Sequence, residues 1–245
     1  MQAPLTLLCL PCAGASATMY LRWRRLLPQW MQIVPVELPG RGSRLGEPAV
    51  EDFGQLVALL CEEQRHAMRG RFALLGHSMG ALLAFGMARS LSAQGRQLPL
   101  ALVASGSPAP ACRDPGRFAD KGDDAALIAD LRRQGGTPEE VFASPELLRI
   151  TLDVLGADYR VCESFAHVPA PGLPVPVHVF AGRQDDIAAE RMQAWSQEAA
   201  AAFTLDWFEG GHFFIKQHEA EVLAVLARRL AGVTRGEVHA ARALA

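Results

Sequence analysis

Short apolar runs alternate along this chain with longer stretches of helical period, the pattern of a parallel sheet covered by helices on both faces. The runs predict strands at 5–10, 33–37, 72–75, 101–105, 177–181 and 204–208. Helical periodicity predicts crossover helices over 18–27, 51–68 and 79–93. One interval breaks the rhythm. Between positions 106 and 176 about 70 residues pass without a strand pattern, far more than a single crossover needs. This stretch predicts an inserted subdomain, with helices at 123–133, 138–142 and 145–165 and a proline-rich exit at 169–176. Positions 232–245 have no firm pattern and are expected to fray or form a loose helix. The expectation is one α/β domain over 1–245, interrupted by an insertion at about 112–167.

Composition narrows the possibilities. Half of the 245 residues are apolar, enough for one sizeable core, and the net charge of −2 leaves no basic excess to attract nucleic acid. The start of the chain lacks the basic, apolar and cleavable parts of a secretion signal, and no run approaches the roughly 20 apolar residues of a membrane helix. A cytoplasmic protein that does not engage membranes is expected. The five cysteines are odd in number and scattered, which suits reduced thiols. Cys9 and Cys12 form a C-x-x-C pair, but Cys9 falls within a strand-like run rather than at the helix N-terminus a redox pair uses. No metal and no cofactor is expected.

The sharpest chemical signal is Gly76-His77-Ser78-Met79-Gly80, placed directly between a predicted strand and a predicted helix. A serine on such a turn is strained, and small neighbours are needed where side chains would strike the adjoining strand and helix. Ser78 is therefore the candidate nucleophile. A hydroxyl needs a base, and Gly210-Gly211-His212 follows the last strand, so His212 is the candidate. His66, His77, His167, His178, His218 and His239 fall in helices, a strand, the turn itself, the insertion or the tail, where structural or solvated roles are expected. A carboxylate should orient the imidazole, and Asp185 in Gly182-Arg183-Gln184-Asp185-Asp186 is preferred, with Asp186 as the alternative. Two backbone N–H groups should hold the oxyanion: that of Met79, and that of Ala13 in the loop of small residues after the first strand.

Taken with Leu10-Pro11-Cys12-Ala13-Gly14-Ala15, Glu37-Leu38-Pro39-Gly40-Arg41-Gly42, Gln134-Gly135-Gly136-Thr137-Pro138, Gly156-Ala157-Asp158-Tyr159 and Gly210-Gly211-His212-Phe213-Phe214, the elbow makes nearly the whole chain resemble the type II thioesterases of nonribosomal peptide and polyketide synthases. That resemblance implies the α/β-hydrolase fold and a serine hydrolase that removes misprimed or stalled acyl groups from the phosphopantetheine arm of carrier domains, its partners. It implies that the insertion is a lid over the acyl site. Three positions depart from the family pattern: Ala15 where a second glycine is usual, Gly156 where arginine is usual and Phe165 where tyrosine is usual. An acidic carrier would favour a basic rim, for which Arg22, Arg24, Arg25, Arg41 and Arg44 are candidates. A monomer is expected. The competing readings are a small-molecule carboxylesterase or lipase on the same scaffold and a hydrolase-like binding module without catalysis.

Overall fold

The computed structural model describes residues 4–114, 116–118 and 120–243, with side chains described as far as Val233. Six strands form one sheet: β1 (Leu5–Leu10), β2 (Met31–Pro35), β3 (Phe72–His77), β4 (Leu102–Ser105), β5 (Val177–Gly182) and β6 (Phe203–Phe208). Their order is β2-β1-β3-β4-β5-β6, and every pairing is parallel. Among the described residues eight α-helices accompany them: α1 (Phe53–Glu63), α2 (Met79–Ala93), α3 (Asp124–Gln134), α4 (Glu139–Ala143), α5 (Pro145–Glu163), α6 (Ala189–Gln193), α7 (Phe214–Gln217) and α8 (Glu219–Ala243).

The central strands read as continuous apolar runs because both of their faces are buried. Alternation along each strand then divides its residues between two cores. Leu8, Leu10, Leu74, Leu102 and Val179 join α1 and α2 on one face; Leu7, Cys9, Leu75, Val103 and Phe180 join α8 on the other. Helix α2 has buried residues on all sides. Gly86 lets α1 approach, since a Cβ there would lie 2.5 Å from the ring of Phe53.

Most sequence expectations lie within a few residues of the observed elements, and the departures have local causes. Positions 17–25 form a 3₁₀ helix, with the Ser16 hydroxyl accepting from Thr18 N–H at its start. Helix α1 begins on the Asp52 cap and ends at Glu63, short of the expected residue 68, because the chain then passes into successive turns. Strand β2 tolerates Pro35 because it is an edge strand. The tail continues as helix to Ala243.

The insertion holds α3, α4 and α5. Asp123 caps α3 at its start, and Gly135 ends it in the left-handed region at φ 71°. Ser144 caps α5, with Pro145 in its first turn. Leu127, Leu152, Leu155 and Tyr159 form a small core of their own, which packs against Ala13 in the loop after β1. The insertion therefore sits beside the carboxyl ends of the strands, where an open parallel sheet places its crevices.

Candidate active site

Strand β3 runs into α2 through Ser78, the only non-glycine residue at positive φ among the described residues (φ 55°, ψ −116°). Such a conformation costs about 1–3 kcal/mol and persists only when its surroundings enforce it. Here the Ser78 N–H donates to the Ser105 carbonyl at 2.7 Å, and the Ser78 carbonyl receives the N–H of Ala81 at 3.1 Å. The flanking glycines follow from contact distances. A Cβ on Gly76 would lie 1.9 Å from the Gly80 carbonyl oxygen, and one on Gly80 would lie 2.2 Å from that of Leu10. The turn thus presents the Ser78 side chain at the rim of the sheet, on the N-terminus of α2, whose first N–H groups have no intrahelical acceptor.

His212 and Asp185 come from the loops after β6 and β5. Their approach depends on Gly182, where a Cβ would meet the carbonyl oxygens of Gly210 and Gly211 at 2.7 Å. His212 Nδ1 donates to Asp185 Oδ2 at 2.9 Å, and Asp185 Oδ1 accepts the N–H of Asp186 at 2.8 Å. Burial alone would raise the Asp185 pKa, but the His212 and Asp186 hydrogen bonds outweigh it and hold the carboxyl below its ordinary range. An ionised Asp185 fixes the imidazole proton on Nδ1, leaving the Nε2 lone pair as the basic position of the ring. Asp186 points elsewhere, to Arg133 at 3.3 Å and Arg117 at 3.7 Å.

Ser78 and His212 line one cavity together with Ala13 and Met79. Among the described residues the Ser78 hydroxyl makes no hydrogen bond. Beneath His212 lies His77, fully buried, with ring centroids 5.0 Å apart. Burial, followed by the proximity of His212, drives the His77 pKa well below its usual value, so a neutral ring supports the candidate base.

The loop after β1 is fixed from the opposite side by Asp158 of α5. Its carboxylate accepts Arg41 Nη1 and Nη2 at 2.5 and 2.6 Å in a two-pronged contact, and also the Gly14 N–H at 2.8 Å. Arg41 Nη1 also reaches the Ala15 carbonyl at 3.2 Å. With Gly14 so engaged, the N–H of Ala13 has no protein acceptor among the described residues. The cavity holding Ser78 is partly open and offers about 40 Å³. A more open one of about 320 Å³ adjoins it across Cys12, Ala13 and Gln134 and is bounded by Thr137, Thr151 and Lys216.

Comparison with known proteins gives the family of the chain. The family model described as a thioesterase domain matches residues 5–230. The chain belongs to the thioesterase family. It is 34% identical over 232 residues to thioesterase PikA5 of Streptomyces venezuelae, covering 94% of this chain and 82% of that one. It is 35% identical over 222 residues to linear gramicidin dehydrogenase LgrE of Brevibacillus parabrevis, covering 89% and 84%. Despite that relative's name, the loop after β1 in this thioesterase lacks the G-x-G-x-x-G spacing that cradles a dinucleotide. The solved type II thioesterase BorB of the borrelidin biosynthetic cluster superposes with a TM-score of 0.85 at 37% identity, covering 94% of both chains.

Several motifs of the thioesterase acquire physical reasons that the sequence did not reveal. Arg41 was expected on a docking rim; it is buried against Asp158 and cannot meet a partner. Arg44 is likewise occupied, by Glu47 and Glu63. Only Arg22, Arg24 and Arg25 of that group stay on the surface, and Arg22 lies 3.4 Å from Glu219. Nothing local in the sequence links Arg41 to Asp158, which lies 117 positions away. Gly136 is explained by Phe213, whose ring would sit 2.4 Å from a Cβ there, so the insertion packs directly beside the residue after His212. Two of the three departures are accommodated. Ala15 keeps a negative φ, and Phe165 packs edge-on against Phe53 with centroids 4.9 Å apart. The Cys9 and Cys12 thiols are buried, and burial raises both pKa values, that of Cys12 to about 11, which disfavours the reactive thiolate.

Proposed function

We propose that this thioesterase releases acyl groups from the phosphopantetheine arm of carrier domains in nonribosomal peptide or polyketide synthesis, through Ser78, His212 and Asp185. The observation that carries the reading is the meeting of Ser78 and His212 on one cavity wall, with His212 Nδ1 bonded to an ionised Asp185. Ser78 Oγ attacks the thioester carbonyl as His212 Nε2 takes its proton. The oxyanion that forms is held by the N–H groups of Met79 and Ala13. The C–S bond then breaks, and the thiol leaves with the proton from His212. Water next gives a proton to His212 and attacks the Ser78 ester, which releases the acid and restores the hydroxyl.

The insertion spanning α3 to α5 acts as the lid of a single domain, and the enzyme works as a cytoplasmic monomer. No helix among the described residues is long and apolar enough to cross a membrane. The carrier docks beside the 3₁₀ segment Ala17–Arg25, where Arg24, Arg25 and exposed Leu21 offer cationic and apolar contacts. The test is to load a carrier protein with short acyl groups and follow the mass of its arm. Wild type should strip the arm and Ser78→Ala should leave it loaded. Fast cleavage of simple oxygen esters beside an untouched carrier would overturn the reading in favour of a small-molecule esterase. Failure to label with a fluorophosphonate would point to a binding module.

A further inference from the structure

Two buried polar side chains beside the candidate triad have no part in the steps above: His77, next to the nucleophile, and Ser105, at the end of β4. Ser105 touches the elbow twice. Its carbonyl accepts the Ser78 N–H at 2.7 Å, and its hydroxyl lies 3.0 Å from His77 Nδ1. The next residue leaves room for the ring, since Gly106 stands at φ 55° and a Cβ there would lie 2.5 Å from His77 Cε1. Phe213 and Phe214, which follow His212, close on the same ring with centroids 5.9 and 5.7 Å away. The His77 ring is thus held between the end of β4 and the loop after β6.

Its second nitrogen lacks a settled partner. His77 Nε2 is buried and makes no hydrogen bond of good geometry among the described residues. Native interiors rarely leave such an atom unpaired. The backbone group that favours a proton on this ring belongs to His212, as a nearby carbonyl acceptor does. Of the charged groups around the ring, Asp185 favours the cation, while His212 and Lys216 oppose it; burial outweighs them all and keeps the ring neutral, with one N–H and one lone pair. The loop it faces needs support, because Gly210 and Gly211 precede His212 and Gly210 stands at φ 100°.

We infer that His77 is a positioning residue: the Ser105 hydroxyl donates to its Nδ1, its Nε2–H donates to the His212 backbone carbonyl, and this bridge sets the base at its working distance from Ser78. Ser105 then holds the backbone of the nucleophile through its carbonyl and that of the base through its hydroxyl and His77. A neutral donor suits the place, since a cation there would oppose the imidazolium that forms on His212, with ring centroids 5.0 Å apart. The bridge rests on Ser78 and His212 being the reacting pair and adds two residues to that reading.

The experiment uses the full chain and the butyryl thioester of N-acetylcysteamine, with thiol release giving kcat and KM and the melting temperature reporting the fold. His77→Leu fills the space without a hydrogen bond, and kcat should fall by about ten- to a hundredfold while KM stays within about twofold, the loss expected when a base is slightly misplaced. His77→Gln, whose amide N–H reaches about as far as Nε2–H, should recover kcat to within about threefold of wild type. Ser105→Ala should lower kcat by about three- to tenfold, and by no further factor in the His77→Leu background, because both changes cut one bridge. Wild-type kcat in His77→Leu, a His77→Gln as slow as His77→Leu, or full additivity of the two losses overturns the inference. Should His77→Leu not fold, Ser105→Ala decides alone: a wild-type kcat overturns the bridge, and a drop at unchanged KM and melting temperature upholds it. Fluorophosphonate labelling of wild type separates the two readings. A labelled, active enzyme indifferent to these substitutions keeps its triad and loses only the bridge, whereas one that neither labels nor cleaves loses both.

Discussion

The contact between Arg41 and Asp158 joins three distant parts of the chain, and Asp158→Ala tests whether it holds the loop after β1, whose Ala13 N–H we propose as an oxyanion donor. Both partners are nearly sealed from solvent, with side-chain exposures of 6% and 1%. Removing the carboxylate leaves the guanidinium buried without a counter-ion, and its Nε already lacks a hydrogen-bond partner. Breaking a buried pair from one side costs about 3–5 kcal/mol, a large share of the roughly 5–15 kcal/mol that stabilises a typical domain. For a chain of this size each kcal/mol moves Tm by about 2–4 °C, so calorimetry should record a fall of about 6–20 °C. The same substitution strips the Gly14 N–H of its acceptor and frees the loop carrying Ala13. Activity should fall by about tenfold or more, since deleting an oxyanion donor outright costs on the order of 10²–10³. Pairing Asp158→Leu with Arg41→Met should restore most of the stability but not the activity, because the lost charge is gone while the loop stays untethered. A loss below about 1 kcal/mol in Asp158→Ala, the worth of an exposed pair, refutes the argument. So does a double variant as unstable as the single one.

Asp185→Asn should keep the fold yet lower kcat by about 10⁴, as an amide cannot hold the imidazole in the required tautomer; steady-state kinetics on any accepted thioester measures it. Gly80→Ala should yield little folded protein, because the added Cβ would lie 2.2 Å from the Leu10 carbonyl oxygen, an atom of the sheet backbone that cannot move aside; soluble yield and circular dichroism report the outcome. Asp130 supplies a pH prediction. Burial alone would raise its pKa, but hydrogen bonds from Lys121, Tyr159 and Arg133 hold it at about 2. A folded pKa below the unfolded one stabilises at higher pH, so this contribution should be intact above about pH 4 and disappear as pH falls towards 2. Urea unfolding at stepped pH should show that loss in wild type and a shallower one in Asp130→Asn.

Much of the molecule was legible in the sequence because its signals are local. Short continuous apolar runs located the strands to within a few residues, since parallel strands buried on both faces must be continuously apolar. The elbow was equally local. Strained serine, flanking glycines, preceding strand and following helix all lie within a short segment, and each requires the others. The missing strand pattern in the middle of the chain announced the insertion for the same reason.

Other features were set only by tertiary packing. The choice between Asp185 and Asp186 as the carboxylate beside His212 rests on which one the loops after β5 and β6 turn inward, and adjacent acidic residues look alike in a sequence. Arg41 reads as a surface cation until α5 brings Asp158 across the sheet to neutralise it. Gly136 reads as part of a helix stop until Phe213 occupies the space beside it. Sequence carries what a residue demands of its immediate neighbours along the chain. Charge compensation and close contact between remote segments depend on distances that exist only once the sheet has brought those segments to one edge.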